Sequence, residues 1–366
     1  MVYKIIAILI IAGLGFGVYI FLVPRQVLPI VEIVPEIVVD EEIVPDQTTI
    51  LTGLNTPWDI AFIGENEYLV TERGGTLLHV KQGTTTSIKL PHPIPKGEGG
   101  LLGIALHPHF DHNNILYLYM NTSTGMNTVF RYEWIDSSLK NELVIIKNIP
   151  GAIYHDGGRI EFGPDEKLYI ATGDATQSKI AQDLKSLGGK ILRINDDGTI
   201  PEDNPFGTAV WSYGHRNPQG LAWDHDGVLW ETEHGRSGIT SGYDELNVIE
   251  KGKNYGWPTI EGSQTKAGMV TSTLHSGSDY TWAPASALYY RNRIFFGGLK
   301  GEALYEYNLD TKEIKRHFER EFGRIRTIRK GTDGMFYLLT SNRDGRGKPI
   351  AVDDRVIRLN PDQFFK

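Results

Sequence analysis

The chain is 366 residues long, 40% hydrophobic, and carries a formal net charge of −8. That length allows one large domain or two medium ones, and the acidic balance excludes the concentrated basic surface that nucleic-acid binding needs. Cysteine is absent, which removes disulfides, thiolate metal sites, covalent haem attachment through Cys-x-x-Cys-His, and a lipid-modified N-terminal Cys.

The first element is Ile5–Val23, 19 residues without a charge, long enough to cross a bilayer core as a helix. Residues 1–24 are therefore expected to be a transmembrane anchor. A cleaved signal peptide is the alternative, but Phe21, Leu22 and Val23 are bulky where a peptidase wants small residues. Lys4 and Arg25 flank the run symmetrically, so charge leaves its orientation open. Residues 25–47 follow, rich in Pro, Val and Ile, with six acidic residues between Pro24 and Gln47. Recurrent proline keeps such a segment extended, so it reads as a linker, with a short edge strand as the alternative.

From residue 48 a pattern recurs: a turn with Asp, Gly or Asn, an apolar strand, then Thr and polar residues. The copies end at Thr71, Thr172, Thr232 and Thr340, spaced 101, 60 and 108 residues apart. Those intervals fit one or two units of roughly 50 to 60 residues. Residues 48–366 then hold about six units with room for four short strands each, the anatomy of a propeller blade. A β-sandwich would not repeat at this length. The expectation is an all-β, six-bladed β-propeller. Loops at one face of such a fold gather around its channel, so Glu72-Arg73, Gly173-Asp174, Glu233-His234 and Ser341-Asn342 should converge.

Tyr213–Trp223 (YGHRNPQGLAW) is the densest polar stretch. Arg216, Asn217 and Gln219 offer many N–H donors in a small space, which suits a planar, oxygen-rich anion. A loop that satisfies its own backbone is the plainer reading of any one of them.

Gly97–Pro108 (GEGGLLGIALHP), His155–Asp165 (HDGGRIEFGPD), Gly188–Arg193 (GGKILR), Ile200–Pro205 (IPEDNP), Gly214–Gly220 (GHRNPQG) and Asn254–Pro258 (NYGWP) follow one another along the chain. Together they resemble the PQQ-dependent soluble glucose and aldose sugar dehydrogenases, the glucose/sorbosone dehydrogenase family. The resemblance covers about residues 48 to 362. It implies a pyrroloquinoline quinone (PQQ) and a Ca²⁺ ion at the propeller mouth, and oxidation of an aldose C1 hydroxyl to a lactone.

The same resemblance implies site residues. PQQ carries three carboxylates, and Arg216, Lys300, Arg324 and Arg326 occupy the family's cationic positions. Arg binds both oxygens of a carboxylate through its fork, and Arg324-Ile325-Arg326 places both guanidinium groups on one face of a strand. Asn217 and Gln219 join them, and Glu98 stands where the glucose enzymes have a glutamine near the quinone. A neutral histidine suits a general base near pH 7. His155 matches the family's base, with Gly157 and Gly158 leaving room for substrate, and Asp174 matches its acidic partner. Trp282 and Tyr280 match aromatics near the substrate. The Ca²⁺ ligands map to the carbonyls of Gly235 and Arg236 and to Asp244, with Arg236 replacing a proline. Carbonyl ligation survives that change, provided the new charge points away. A second, structural Ca²⁺ site maps to Glu245 and Tyr255.

The leading expectation is thus a membrane-anchored, extracytoplasmic dehydrogenase that takes a sugar and passes electrons to an external acceptor. A non-catalytic sugar- or protein-binding propeller is the second reading. A Ca²⁺-dependent lactonase would need a side-chain carboxylate cage.

Overall fold

The computed structural model describes residues 3–8, 19–24, 46–122, 125–237 and 241–366. Met1–Val44 and Pro45–Lys366 form separate compact units. In the first, Tyr3–Ile8 and Tyr19–Pro24 pair as antiparallel strands, Tyr3 opposite Pro24 and Ile8 opposite Tyr19. This corrects the helix expected over residues 1–24. No helix among the described residues is long and apolar enough to cross a membrane. Runs rich in Ile, Val, Tyr and Phe favour strands as readily as buried helices, and apolar periodicity does not separate the two. The linker expected over 25–47 lies outside the described residues up to residue 45, and Gln47 opens a strand.

The second unit is a six-bladed β-propeller of four-stranded antiparallel sheets. Blade 1 runs from Pro57 to Lys89, blade 2 from Leu101 to Pro150, blade 3 from Ile160 to Tyr213, and blade 4 from Pro218 to His275. Blade 5 spans Pro284–His317, and blade 6 spans Ile325–Leu359 plus one strand from the other end of the propeller. That strand, Gln47–Leu51, pairs with Val356–Leu359. A ring of blades closes only if its ends are tied, and this pairing ties them.

The recurring turn connects the first and second strands of blades 1, 3, 4 and 6. Its sharp position has positive φ in each: Asn66 (52°), Glu166 (57°), Gly227 (77°) and Gly334 (78°). Blades 2 and 5 make the same connection with other sequences, a helical turn at Phe110–Asn113 and the pair Arg291-Asn292 (φ 45° and 60°). The intervals of 101 and 108 residues therefore each skip a blade. Two of the repeated threonines are buried ties between blades: Thr71 Oγ1 donates to Leu102 O and Thr232 Oγ1 to Ala285 O, both at 2.6 Å, on the first strand of the next blade.

The first strands line the channel. Across it, Asp59 forms an ion pair with Arg159 at 2.5 Å and accepts from Arg329 at 3.0 Å, while Arg329 also pairs with Glu161. The Arg159 guanidinium lies 4.3 Å from the centroid of the Trp58 ring.

Candidate active site

Loops entering the first strands and leaving the second strands meet at one end of the channel, around a cavity of ≈ 560 Å³. His155 lies in the loop before Ile160–Phe162, and Asp174 just beyond Leu168–Thr172. His155 lines the cavity, and its Nδ1 is 2.7 Å from Asp174 Oδ1. The carboxylate is 1% exposed and accepts the Thr176 N–H at its Oδ1 and the Trp257 indole N–H at its Oδ2, both at 2.8 Å. An acceptor on Nδ1 sets the tautomer that leaves Nε2 free to take a proton. Gly173 makes this approach possible, because a Cβ there would lie 1.9 Å from His155 O. Gly157 and Gly158 do something other than leave room for substrate. A Cβ on Gly157 would meet Ala171 O at 2.4 Å, and one on Gly158 would meet Leu102 at 2.7 Å, so both serve close packing.

Cations outnumber carboxylates around the cavity. Arg216, Arg236, Lys300, Arg324 and Arg346 line it against Glu98 and Asp244. Arg324 is paired with Asp344 at 2.8 Å, and Arg346 with Glu98 at 2.7 Å. Arg236 pairs with Glu261 at 2.7 Å and lies over the Tyr243 ring, so its charge is met inside the chain. Among the described residues, the Arg216 guanidinium donates to His234 O (3.2 Å) and Ser237 Oγ (3.1 Å). Arg216, Lys300 and Arg326 form no ion pair among the described residues. Arg326 and Gln219 do not reach the cavity surface. They lie behind it, where Arg326 Nη1 donates to Gln219 Oε1, while the buried Nε has no partner among the described residues. Burial pushes the Arg326 guanidinium down to about 9, with Asp344 acting in the other direction. Asn217 lines the cavity and accepts the Gly157 N–H at 3.0 Å.

Glu98 is ionised. Burial opposes its charge, but the His155 N–H, the neighbouring His234 and the Arg346 guanidinium hold its carboxyl down to about 2. Sequence reading missed Arg346 because its partner is 248 positions away. It also left His234 without a role. That imidazole lines the cavity, burial pushes it down to about 3, and its Nε2 has no partner among the described residues.

Gly235, Arg236 and Asp244 share the cavity wall. Asp244 accepts the N–H groups of Gly235 (2.8 Å), Trp282 (2.6 Å) and Ala283 (2.9 Å), which fixes the wall from two blades. Residues 238–240 of this loop lie outside the described residues. Glu245 and Tyr255 are not at the cavity. They line a recess of ≈ 10 Å³ behind it with Glu233 and Glu261. Next to that recess, ligand atoms of His215, Glu231 and Glu233 lie within 4.8 Å of one another. Glu231 Oε1 and Asn247 Oδ1 are buried acceptors without a partner among the described residues. Burial, then mutual repulsion, raises Glu245 to about 8 and Glu231 well above the usual carboxylate range.

The aromatic pair is a correction. Trp282 is 5% exposed and packs on Phe296 and Tyr305, and Tyr280 donates to or accepts from Tyr305 at 2.9 Å. Both line a separate groove with Arg316. Thr281 and Ala283 line the cavity instead.

A family model described as Glucose / Sorbosone dehydrogenase matches residues 54–352. The chain belongs to the glucose/sorbosone dehydrogenase family. Among relatives of this family member, the aldose sugar dehydrogenase YliI of Escherichia coli K12 is 32% identical over 335 residues, 80% of this chain and 89% of that one. The PQQ-bound aldose sugar dehydrogenase of Streptomyces coelicolor is 37% identical with a TM-score of 0.79, covering 85% and 96% of the two chains. The apo-form of the soluble E. coli aldose sugar dehydrogenase gives 30% and 0.76, over 86% and 99%.

Proposed function

We propose that this glucose/sorbosone dehydrogenase family member is a PQQ- and Ca²⁺-dependent oxidoreductase that converts the C1 hydroxyl of an aldose to a lactone. The observation that carries the reading is a histidine–carboxylate pair opening onto a cavity whose cations lack enough carboxylates of their own. A ligand with three carboxylates would supply the missing anions to Arg216 and Lys300, with Arg324, already met by Asp344, and Asn217 as further donors. The carbonyls of Gly235 and Arg236 with Asp244 form a hard-oxygen donor set suited to Ca²⁺. Arg236 fits because Glu261 meets its charge. The orphaned oxygens of Glu231 and Asn247, beside Glu245 and Tyr255, support a second, structural cation.

When bound, PQQ supplies the hydride acceptor, and Ca²⁺ polarises its carbonyl as a Lewis acid. The chain's own part is proton chemistry and placement. His155 Nε2 takes the proton of the sugar C1 hydroxyl while hydride leaves the same carbon. Asp174 stabilises the imidazolium and is itself held by the Trp257 indole. The ionised, Arg346-paired Glu98 is placed to accept from a sugar hydroxyl without opposing the cofactor's charge.

Adding PQQ and Ca²⁺ to the apo protein and following aldose-dependent dye reduction tests this. Turnover supports the dehydrogenase. Sugar binding without reduction would favour the non-catalytic propeller. The need for these two cofactors, with the uncharged Ile5–Val23 run, supports an extracytoplasmic propeller attached through its N-terminal segment. Protease added to intact cells should then release the propeller, and protection until lysis would overturn that placement.

A further inference from the structure

His155 is gripped at three points. Its Nδ1 meets Asp174, its carbonyl accepts the Ala175 N–H at 3.2 Å, and its own N–H reaches Glu98 Oε2 at 3.0 Å. The first two contacts come from the loop that follows the second strand of its own blade. The third comes from the loop between blades 1 and 2. His155 has a φ of +64°, a region costly for a non-glycine residue that persists only where the surroundings over-determine it. The main chain contributes to that: Glu98 N–H donates to Ile153 O at 2.8 Å, and Gly97 lies so close that a Cβ would sit 2.0 Å from the same oxygen. What remains is the orientation of the Glu98 carboxylate. One oxygen serves the His155 N–H, and the other takes Arg346 Nη1 at 2.7 Å. Arg346 comes from the blade 6 loop after Thr340, and its guanidinium lies 5.6 Å from the centroid of the Tyr154 ring, beside His155.

We propose that Arg346 is a positioning residue for the base. By pinning the Glu98 carboxylate across the cavity mouth, it fixes the His155 main chain and with it the aim of the imidazole. The inference rests on the reading of His155 as the proton acceptor. A salt bridge that served only to hold blade 6 against blade 2 would act through stability alone.

The test uses the full chain labelled with ¹⁵N-histidine, in Arg346→Gln, Arg346→Lys and Glu98→Gln backgrounds. In the apo protein, Arg346→Gln should speed hydrogen exchange of the His155 amide while leaving the Tm unchanged. In the PQQ-loaded protein it should lower kcat by about 10- to 100-fold, the scale of a misplaced catalytic group. Arg346→Lys should restore much of both. In the Glu98→Gln background, Arg346→Gln should change neither, because a carboxamide has no charge for the guanidinium to hold. Unchanged His155 exchange in Arg346→Gln, or an equal kcat loss in the Glu98→Gln background, would overturn the proposal. Faster exchange in a protein without dehydrogenase activity would support the positioning and sink only the reading of His155 as base.

Discussion

Arg326 and Arg329 sit on one strand, Ile325–Lys330, the first buried and the second largely so. They belong to two differently built regions. Arg329 faces into the channel network, where Asp59 and Glu161 outweigh its burial and raise its pKa. Arg326 lies under the mouth cavity, with a glutamine as its only hydrogen-bonding side chain among the described residues and a pKa pushed down to about 9. The channel closes its charges within the chain and so contributes rigidity. The mouth leaves cations short of anions, and a buried cation without a partner is costly unless a ligand completes it. The difference marks where the molecule is finished by something other than itself.

The largest expected effect tests what the mouth is for. His155→Ala should lower kcat by about 10²- to 10⁴-fold, the range for losing a general base, while fluorescence titration shows PQQ still binding. Undiminished dye reduction would take His155 out of the mechanism. Arg329→Met probes the other region. Leaving Asp59 and Glu161 short of a buried partner should cost about 3–5 kcal/mol in denaturant unfolding, with PQQ affinity kept. Loss of PQQ binding at unchanged stability would erase the distinction between the regions.

Lys300→Ala should do the converse. It removes a cation that forms no ion pair among the described residues, so stability should hold while PQQ affinity falls about 10- to 100-fold, the value of a charge-assisted hydrogen bond. Calorimetry on apo and PQQ-titrated protein would read both quantities. The smallest effect belongs to Asp156, a carboxyl beside the mouth with one oxygen lacking a partner among the described residues. Burial raises it to about 6, with Glu98 adding to that and hydrogen bonds from Ala152 and Asn127 opposing it. Because the folded pKa is raised, the stability it contributes is present below about 4 and fades as pH rises through about 6. Asp156→Asn should flatten that decline, seen as convergence of the two Tm curves at pH 4. Parallel curves would exclude Asp156 as their source.

Much of this was legible before any coordinates. The Thr71, Thr172, Thr232 and Thr340 repeat pointed to six blades even though blades 2 and 5 carry different turns, because a closed ring demands equal units. His155 and Asp174 were singled out by their motifs and lie 2.7 Å apart. The N-terminal helix was misjudged, since an apolar run rich in Ile, Val and aromatics satisfies either element. Trp282 and Tyr280 were assigned to the substrate from the family resemblance, and a match of residue types does not say to which side of an irregular loop a side chain turns.

What the sequence determined by itself was the architecture, which is written in local patterns: a turn that needs positive φ and a strand that follows it. His155 and Asp174 were singled out by the family resemblance of their motifs. What only the tertiary structure decided was which charges meet. Arg346 finds Glu98 across 248 positions, Arg329 finds Asp59 across 270, and Lys300 forms no ion pair among the described residues. Pairing depends on distance and burial, and the ring brings its loops together without regard to their order in the chain.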